Sequence, residues 1–206
     1  MTYIGHSEKV LFMKRLLLIL ILTLSFQVLS KADEISDLQI EGMALGESLL
    51  DYYSKNEIKK GIKDYVYEDD SFYEVEFYNN KSFENYENIQ FALKKNDTQY
   101  IIMKLVGFNF ISNNKKCFKQ VDIVLEEIKN VLSKTTITHD EKNHPADPSG
   151  QSKSKTSYIE HETGEIWIEC YDWSEKITKE KKWIDNFGVN LMSNEYLFWL
   201  KNKAYK

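Results

Sequence analysis

The sequence has 206 residues, a formal net charge of −5 and 29% charged residues, which suits one globular domain or two small ones packed together. Its basic residues form no stripe, and Arg15 is the only arginine. The rest of the chain therefore has no guanidinium group for paired contacts with phosphate or guanine, and we expect no nucleic-acid partner.

The first feature in chain order is an apolar segment near the amino terminus. Met13-Lys14-Arg15 precedes the mostly apolar run 16–29, and Ser30 and Ala32 are small residues at positions −3 and −1 of a cleavage site. A basic start, a short apolar run and small residues predict a secretory signal. The run is shorter than the roughly 20 apolar residues that a membrane-spanning helix needs.

We therefore predict a secretory signal segment over residues 1–32, with Met13 fitting the start of such a segment better than Met1. Residues 33–206 are predicted to form a single mature domain in the periplasm or outside the cell. The alternative is an uncleaved segment, which would be the protein's only link to a membrane. Cleavage removes four of the 27 basic residues and one of the 32 acidic ones, so the mature domain is more acidic than the whole chain.

The mature domain is predicted to begin with an extended or helical entry over 35–40 and a short amphipathic helix. Leu45, Leu49 and Ile58 recur at helical spacing. Glycine is common just after a helix ends, so we expect this helix to stop near Gly61.

An antiparallel meander of strands is predicted next. Apolar and polar residues alternate over 73–77 and 89–94, as expected of strands. The turn predicted at 95–97 leads into a third strand over 100–110. In the first of these segments, Glu74 and Glu76 fall on the face opposite to the apolar residues.

The two cysteines are predicted to meet in one core. The strongest helical pattern spans 113–133 and places Cys117 on its apolar stripe, while Ile166, Ile168 and Cys170 alternate along a later strand. In an oxidising compartment this predicts a Cys117–Cys170 disulfide. Two inert buried thiols are the alternative.

The second half of the domain is predicted to begin with an exposed loop near residues 138–155, a polar stretch that holds both prolines of the chain. A hairpin around Thr163-Gly164, a strand over 187–191 and a closing helix capped by Ser193 follow. The order predicts an α+β fold, in which two meander or hairpin sets of antiparallel strands accompany one long central helix and shorter flanking helices.

Four segments of the mature domain show a resemblance to other sequences. They are DLQIEGMALGESLLDYYSKNEI at 37–58, FNFISNNKKC at 108–117, HPADPSGQSKS at 144–154 and ECYDWSEK at 169–176. They resemble a group of small exported proteins of unknown function from aquatic bacteria, which implies export and a shared fold but no activity. The entry at 40–43 is also similar, as an analogy only, to envelope-assembly lipoproteins and β-lactamase-inhibitor-like modules. This chain departs from those lipoproteins because its first cysteine, Cys117, lies far from the cleavage point.

No phosphate-binding loop or cofactor motif is present in the sequence, and we expect no cofactor. His139, His144 and Asp147 are the residues best suited to a divalent metal, with Asp140 among them. A loop with two prolines fixes little geometry, so a solvated polar loop is favoured over a metal site. His161, at a hairpin end, is expected to be a surface histidine.

A small hydrolase acting on glycan or peptide would use Asp172 or Glu169. These carboxylates lie beside Tyr171 and Trp173, and apolar aromatic surroundings raise a carboxyl pKa while indoles stack on sugar rings. In so acidic a chain such neighbours arise by chance, and Asp172 would equally suit a turn after its strand. We therefore assign no catalytic residue and lean away from an enzyme.

The tryptophans suggest a binding surface instead, since all four lie in the last forty residues. If Trp167 points away from the core, it shares a face with Tyr171, and with Asp172 and Trp173 it forms a candidate surface for an extracytoplasmic ligand or protein. The alternative is that the closing helix covers these rings. The leading hypothesis is an exported binding or envelope-associated interaction module, and the hydrolase is its alternative.

Overall fold

The computed structural model describes residues 32–79, 82–111 and 114–205. The predicted signal segment lies outside these ranges apart from Ala32, whose backbone N–H donates to Val131 O at 2.9 Å. None of the helices within the ranges combines the length and the hydropathy that a membrane span requires.

Four α-helices and eight β-strands follow one another along the described chain. The helices are α1 (Lys55–Gly61), α2 (Asn114–Val131), α3 (Glu175–Lys181) and α4 (Asn194–Asn202). The strands are β1 (Ile62–Lys63), β2 (Phe72–Tyr78), β3 (Asn88–Lys94), β4 (Ile102–Phe110), β5 (Thr136–Asn143), β6 (Lys153–His161), β7 (Gly164–Asp172) and β8 (Asn186–Ser193). The predicted α+β class with antiparallel strands is confirmed.

All eight strands belong to one antiparallel sheet with the order β1-β2-β3-β4-β8-β7-β6-β5. Each half of the domain is a helix followed by a four-stranded meander, α1 with β1 to β4 and α2 with β5 to β8. The two meanders join where β4 pairs with β8. The two predicted strand sets are therefore parts of one continuous sheet, and residues distant in sequence become neighbours at this junction.

One face of the sheet carries the main core. Val75, Phe91, Leu105, Leu191 and Ile166 lie side by side across five strands, and all are buried. Helix α2 and the amino-terminal segment pack onto this face. Burying each such side chain stabilises the fold by roughly 1.5 to 3 kcal/mol, which explains why the alternation of these strands is so clear in the sequence.

The opposite face of the sheet is covered at one end by α4 and buries charged residues there. Glu74 and Glu76 are only 1% and 5% exposed. The ammonium group of Lys104 lies 3.1 Å from Glu74 Oε2, and the hydroxyl of Tyr196, on α4, donates to Glu74 Oε1 at 2.9 Å. Buried charges persist when they are paired and hydrogen-bonded. Strand alternation predicted the face on which these glutamates lie but not their burial.

Cys117 on α2 and Cys170 on β7 form a disulfide, with their Cα atoms 5.9 Å apart and a sequence separation of 53. Both cysteines are buried in the main core. The predicted pairing is confirmed, and it ties α2 directly to the sheet.

The predicted loop over residues 138–155 is wrong in extent. Strands β5 and β6 pair from Thr136 opposite Glu160 to Asn143 opposite Lys153, so only residues 144–152 connect them. The missed strand β5 is an edge strand with mostly exposed side chains. Charged residues protect such edges from pairing with other chains, and they also remove the apolar alternation by which a strand is recognised.

The predicted helix from Leu45 to Gly61 is divided into two parts. A 3-10 turn covers Leu49–Asp51, and α1 starts anew after Ser54, which caps it reciprocally with Glu57. The cap competes with a continuous helix because Ser54 takes extended backbone angles. The end at Gly61 is confirmed.

His161 is buried, which corrects the expectation of a surface histidine. The residue is only 9% exposed, and its imidazole Nδ1 lies 2.8 Å from Thr163 Oγ1. The same hydroxyl accepts the backbone N–H of Ile35 at 3.1 Å. The amino-terminal segment therefore covers this hairpin end, a long-range contact that the hairpin's own sequence does not indicate.

Candidate aromatic groove

The structure does not bring the three residues best suited to a metal together as a ligand set within the described part of the chain. His139 on β5 contacts Ser157, with 3.0 Å between its Nδ1 and the hydroxyl oxygen. Asp147 is saturated by donors: Oδ1 accepts from Ser149 N and Oγ at 2.9 and 2.6 Å, and Oδ2 from Ser152 N and Oγ at 3.0 and 2.7 Å. These hydrogen bonds hold the pKa of the Asp147 carboxyl well below its ordinary value. Within the described ranges, no cluster of His, Cys, Asp and Glu side chains is suited to hold a metal ion.

The connection over residues 144–152 is fixed to the start of α3. Ser152 Oγ donates to Asp147 and accepts the backbone N–H of Ser174 at 2.9 Å. Ser174 is in turn the N-cap of α3, and the backbone N–H of His144 donates to Ser152 O at 2.8 Å. Asp147 is therefore an anchor that holds this loop against the end of β7.

Two of the four predicted binding residues meet beside this loop. The rings of Tyr171 and Trp173 stack with an interplanar angle of 7° and centroids 5.4 Å apart. His144 packs edge-on against both rings, and Trp183 lies 4.6 Å from Trp173. Burial lowers the pKa of His144, which favours a neutral imidazole inside this cluster. Four rings thus fix one another at one corner of the sheet.

A groove of about 720 Å³ opens next to these rings. It is lined by Phe110, Ile111, Trp173, Glu175, Thr178, Lys179, Ile184 and Asp185, and we call it the aromatic groove. Phe110 and Ile184 are 40% and 49% exposed, so both present apolar surface in this groove. The volume falls within the range of ligand-binding clefts in proteins.

Hydrogen bonds from two backbone N–H groups to Asp185 hold the groove in shape. The side-chain Oδ1 of Asp185 accepts a hydrogen bond from the backbone N–H of Trp173 at 2.7 Å. The backbone carbonyl oxygen of Asp185 accepts one from the N–H of Ile111 at 2.9 Å. Lys182 ends α3 in the left-handed conformation, with φ of 62°, and so turns the chain toward Ile184. The groove is thus preformed by contacts among three separate segments.

Comparison with known proteins gives no relative from which a role for this groove follows. No family model, curated protein or solved structure matches this chain. The chemistry of the groove therefore rests on its own residues.

Of the four predicted binding residues, Trp173 lines the groove, Tyr171 adjoins it by stacking on Trp173, and Trp167 and Asp172 are not among the lining residues. Trp167 shares a face with Tyr171, but four residues along a strand separate them by roughly 13 Å. Its ring packs edge-on against Tyr158, with centroids 5.5 Å apart, and contributes to the cluster under α4. Asp172 follows Tyr171 on β7 and points to the opposite face. The predicted surface is thus divided between two faces and two ends of the sheet.

Sequence reasoning missed the apolar lining of the groove outside the tryptophans. Phe110 ends a predicted strand, and Ile184 follows Trp183 in a lysine-rich stretch. An isoleucine next to a tryptophan outside any apolar periodicity is a weak signal that was available. Nothing in the local sequence places Ile184 beside Phe110 and Ile111. Their proximity depends on Phe110 lying opposite Asn186 in the β4–β8 pairing.

Glu169 lies in a polar network on the same face as Tyr171. The Tyr171 hydroxyl donates to Oε1 at 2.6 Å, and the Asn190 amide donates to Oε2 at 2.9 Å. Burial raises the pKa of the Glu169 carboxyl, while these two hydrogen bonds act in the other direction. Glu169 is therefore a carboxyl group with a raised pKa that is held by two hydrogen-bond donors.

The suggested catalytic carboxylates do not form a pair. Glycosidases place two carboxyl groups about 5 to 10 Å apart on either side of the scissile bond. Asp172 points to the opposite face from Glu169, and Glu76 lies four strands away, roughly 19 Å at the usual strand spacing. Glu165, on the same strand and face, is roughly 13 Å from Glu169.

Replacing Glu169 by glutamine is expected to stabilise the protein near neutral pH. Because the folded-state pKa is raised, the carboxyl group favours folding most below its unfolded-state pKa, and that contribution is lost as the pH rises through the folded-state pKa. Glutamine removes the buried charge, accepts from Asn190 and donates to the Tyr171 hydroxyl.

Urea unfolding at two pH values checks this expectation. We expect a higher midpoint for E169Q than for the original protein at about pH 8, and similar midpoints at about pH 3, where the carboxyl is mostly protonated in both states. A lower midpoint for E169Q at the higher pH would show that the carboxylate is instead stabilised by its donors.

Proposed function

We propose that this chain is an exported interaction module that binds an extracytoplasmic ligand or partner protein in the aromatic groove. The observation that carries the proposal is a preformed groove whose apolar residues, Phe110 and Ile184, remain substantially exposed. Exposed apolar surface surrounded by charged residues is typical of interaction sites. Hydrogen bonds that fix the groove before binding reduce the entropy lost on association.

The extracytoplasmic location in this proposal has two supports. The basic and apolar pattern before Ala32 is typical of a secretory signal. The disulfide between Cys117 and Cys170 is the kind of bond that persists in oxidising compartments. The resemblance to small exported proteins of aquatic bacteria agrees with both. We place the mature domain in the periplasm or in the medium.

The proposal gives α2 the role of a long central helix that supports the site. Cys117 on α2 is bonded to Cys170, and the next residue along β7 is Tyr171, which stacks on Trp173. The disulfide thus fixes the strand that ends in the groove. A hydrolase has less support, because Glu169 has no second carboxylate at catalytic distance among the candidates.

Site-specific photo-crosslinking in the exporting cell tests the proposal. A benzophenone amino acid at position 184 is expected to give an ultraviolet-dependent adduct, because Ile184 lines the groove. The matched control is position 198, since Phe198 is 61% exposed on α4 and lies outside the groove. The adduct at 184 is expected to weaken when Trp173 is replaced by alanine in a variant with an unchanged circular dichroism spectrum.

Equal adducts at positions 184 and 198 would contradict the proposal, because they would indicate nonspecific contact. The same holds for an absence of any adduct at position 184 while the protein is exported and folded.

A further inference from the structure

We infer that the aromatic groove receives an extended peptide segment with large apolar side chains and acidic residues at one end. The inference rests on the proposed function and specifies the chemistry of the partner. Its evidence is the division of the groove into an apolar wall, a polar wall and a basic end.

The two long walls of the groove differ in chemistry. Phe110, Ile111, Trp173 and Ile184 supply apolar surface from β4 and the chain after α3. Helix α3 supplies polar groups, namely the carboxylate of Glu175, the hydroxyl of Thr178 and the ammonium of Lys179, and Asp185 adds a second carboxylate to the lining. An extended chain presents side chains in one direction and amide groups across it. Apolar side chains therefore fit one wall, while N–H and C=O groups find acceptors and donors on the other.

The aliphatic residues of the lining argue against a sugar. A pyranose ring packs on the flat face of an aromatic ring, whereas Ile111 and Ile184 are branched and offer no such face. Aromatic anchors with aliphatic neighbours and a charged rim are instead typical of protein–protein contacts. The concave shape also favours inserted side chains over a flat bilayer surface.

Three lysines outnumber the one intervening carboxylate, Glu180, at the carboxyl end of α3, which makes this end basic within an acidic protein. Lys179 lines the groove, and Lys181 and Lys182 follow it at the end of α3. The ammonium of Lys181 lies 5.6 Å from the centroid of the Trp183 ring. Glu175 lies one helical turn before Lys179, roughly 6 Å along the axis, so the polar wall runs from acidic to basic. Acidic residues of a peptide are favoured at the lysine end.

Selection from a random library of twelve-residue peptides displayed on phage tests the inference. The bait is the purified mature domain with its disulfide intact, and phage that bind the I184D variant are removed first. Ile184 is half exposed, so this substitution leaves the core untouched. We expect enriched peptides with at least two large apolar residues and with Asp or Glu on one side of them.

Fluorescence anisotropy with the most enriched synthetic peptide then measures the expected effects. I184D is expected to weaken binding about tenfold or more, the effect of removing a central apolar contact. A K179E/K182E variant is expected to weaken it severalfold, and by less at high salt because ions screen exposed charges. F198A is expected to bind as the original protein does.

Three outcomes would overturn the inference. They are the absence of any groove-dependent enrichment, the enrichment of basic peptides, and peptides that bind I184D as tightly as the original protein. Vesicles of phosphatidylglycerol and phosphatidylethanolamine are tested in parallel. If no peptide is selected and the protein sediments with these vesicles in a way that depends on Ile184 and Lys182, the occupant of the groove is a membrane surface and not a peptide. In each of these cases a specific photo-crosslink at position 184 would still support the proposed function.

Discussion

Replacing Lys104 by methionine is expected to lower the free energy of unfolding by about 3 to 5 kcal/mol, the usual cost of leaving one partner of a buried ion pair alone. The side chains of Lys104 and Glu74 are only 11% and 2% exposed. Lys104 Nζ also donates to Gln90 Oε1 at 2.6 Å. Without the ammonium group, the Glu74 carboxylate remains beneath α4 with only hydroxyl donors, including Tyr196.

A double variant separates the pair from general packing. K104M/E74L removes both charges, and we expect it to recover most of the lost stability, because a buried pair replaced by apolar residues of similar volume is often neutral or stabilising. Urea unfolding near pH 7 measures all three proteins. A loss below about 1 kcal/mol for K104M would place the pair in the class of solvent-screened surface bridges. A double variant less stable than K104M would show that the polar network itself supports this face.

Removing the disulfide is expected to cost about 4 kcal/mol in the chain-entropy model for a loop of this length. Cys117 and Cys170 lie 53 positions apart, so their bond strongly restricts the unfolded chain. The C117A/C170A variant is expected to unfold at a much lower urea concentration. A lower midpoint is also expected for the original protein in excess dithiothreitol.

The alanine variant is also the control for the reductant. Its midpoint is expected to stay the same with and without dithiothreitol, because no disulfide remains to be reduced. An unchanged midpoint for the original protein after complete reduction, verified by thiol titration, would contradict the assigned stabilising role.

Both predictions concern links between elements far apart in sequence, yet only one of the links was visible beforehand. The disulfide followed from two local patterns, a helical stripe containing Cys117 and a strand alternation containing Cys170. The Lys104–Glu74 pair had no such signal. A lysine and a glutamate on predicted strands are normally solvated, and their burial depends on where α4 docks.

In the candidate site, too, the local sequence indicated some residues and only the folded structure identified the role of others. Tyr171 and Trp173 were identified because tryptophans crowd into the last part of the chain, and their residue types suit binding. Asp147 was considered as a metal ligand, but its oxygens are used by Ser149 and Ser152. A carboxylate in a loop has the same local sequence whether it binds a metal or caps its own backbone, so only the folded geometry distinguishes the two.

By itself, the sequence determined the antiparallel α+β class, the long helix α2, the strands with one buried face and the cysteine pair, because each depends on a local period or on residue type. Only the tertiary structure decided that both meanders form one sheet, that β5 is a strand, and that the second face buries Glu74. It also decided that Phe110, Ile111 and Ile184 share a groove. These features depend on β4 pairing with β8 and on helices docking over particular surfaces, and long-range pairing leaves no periodic pattern in the segments that it joins.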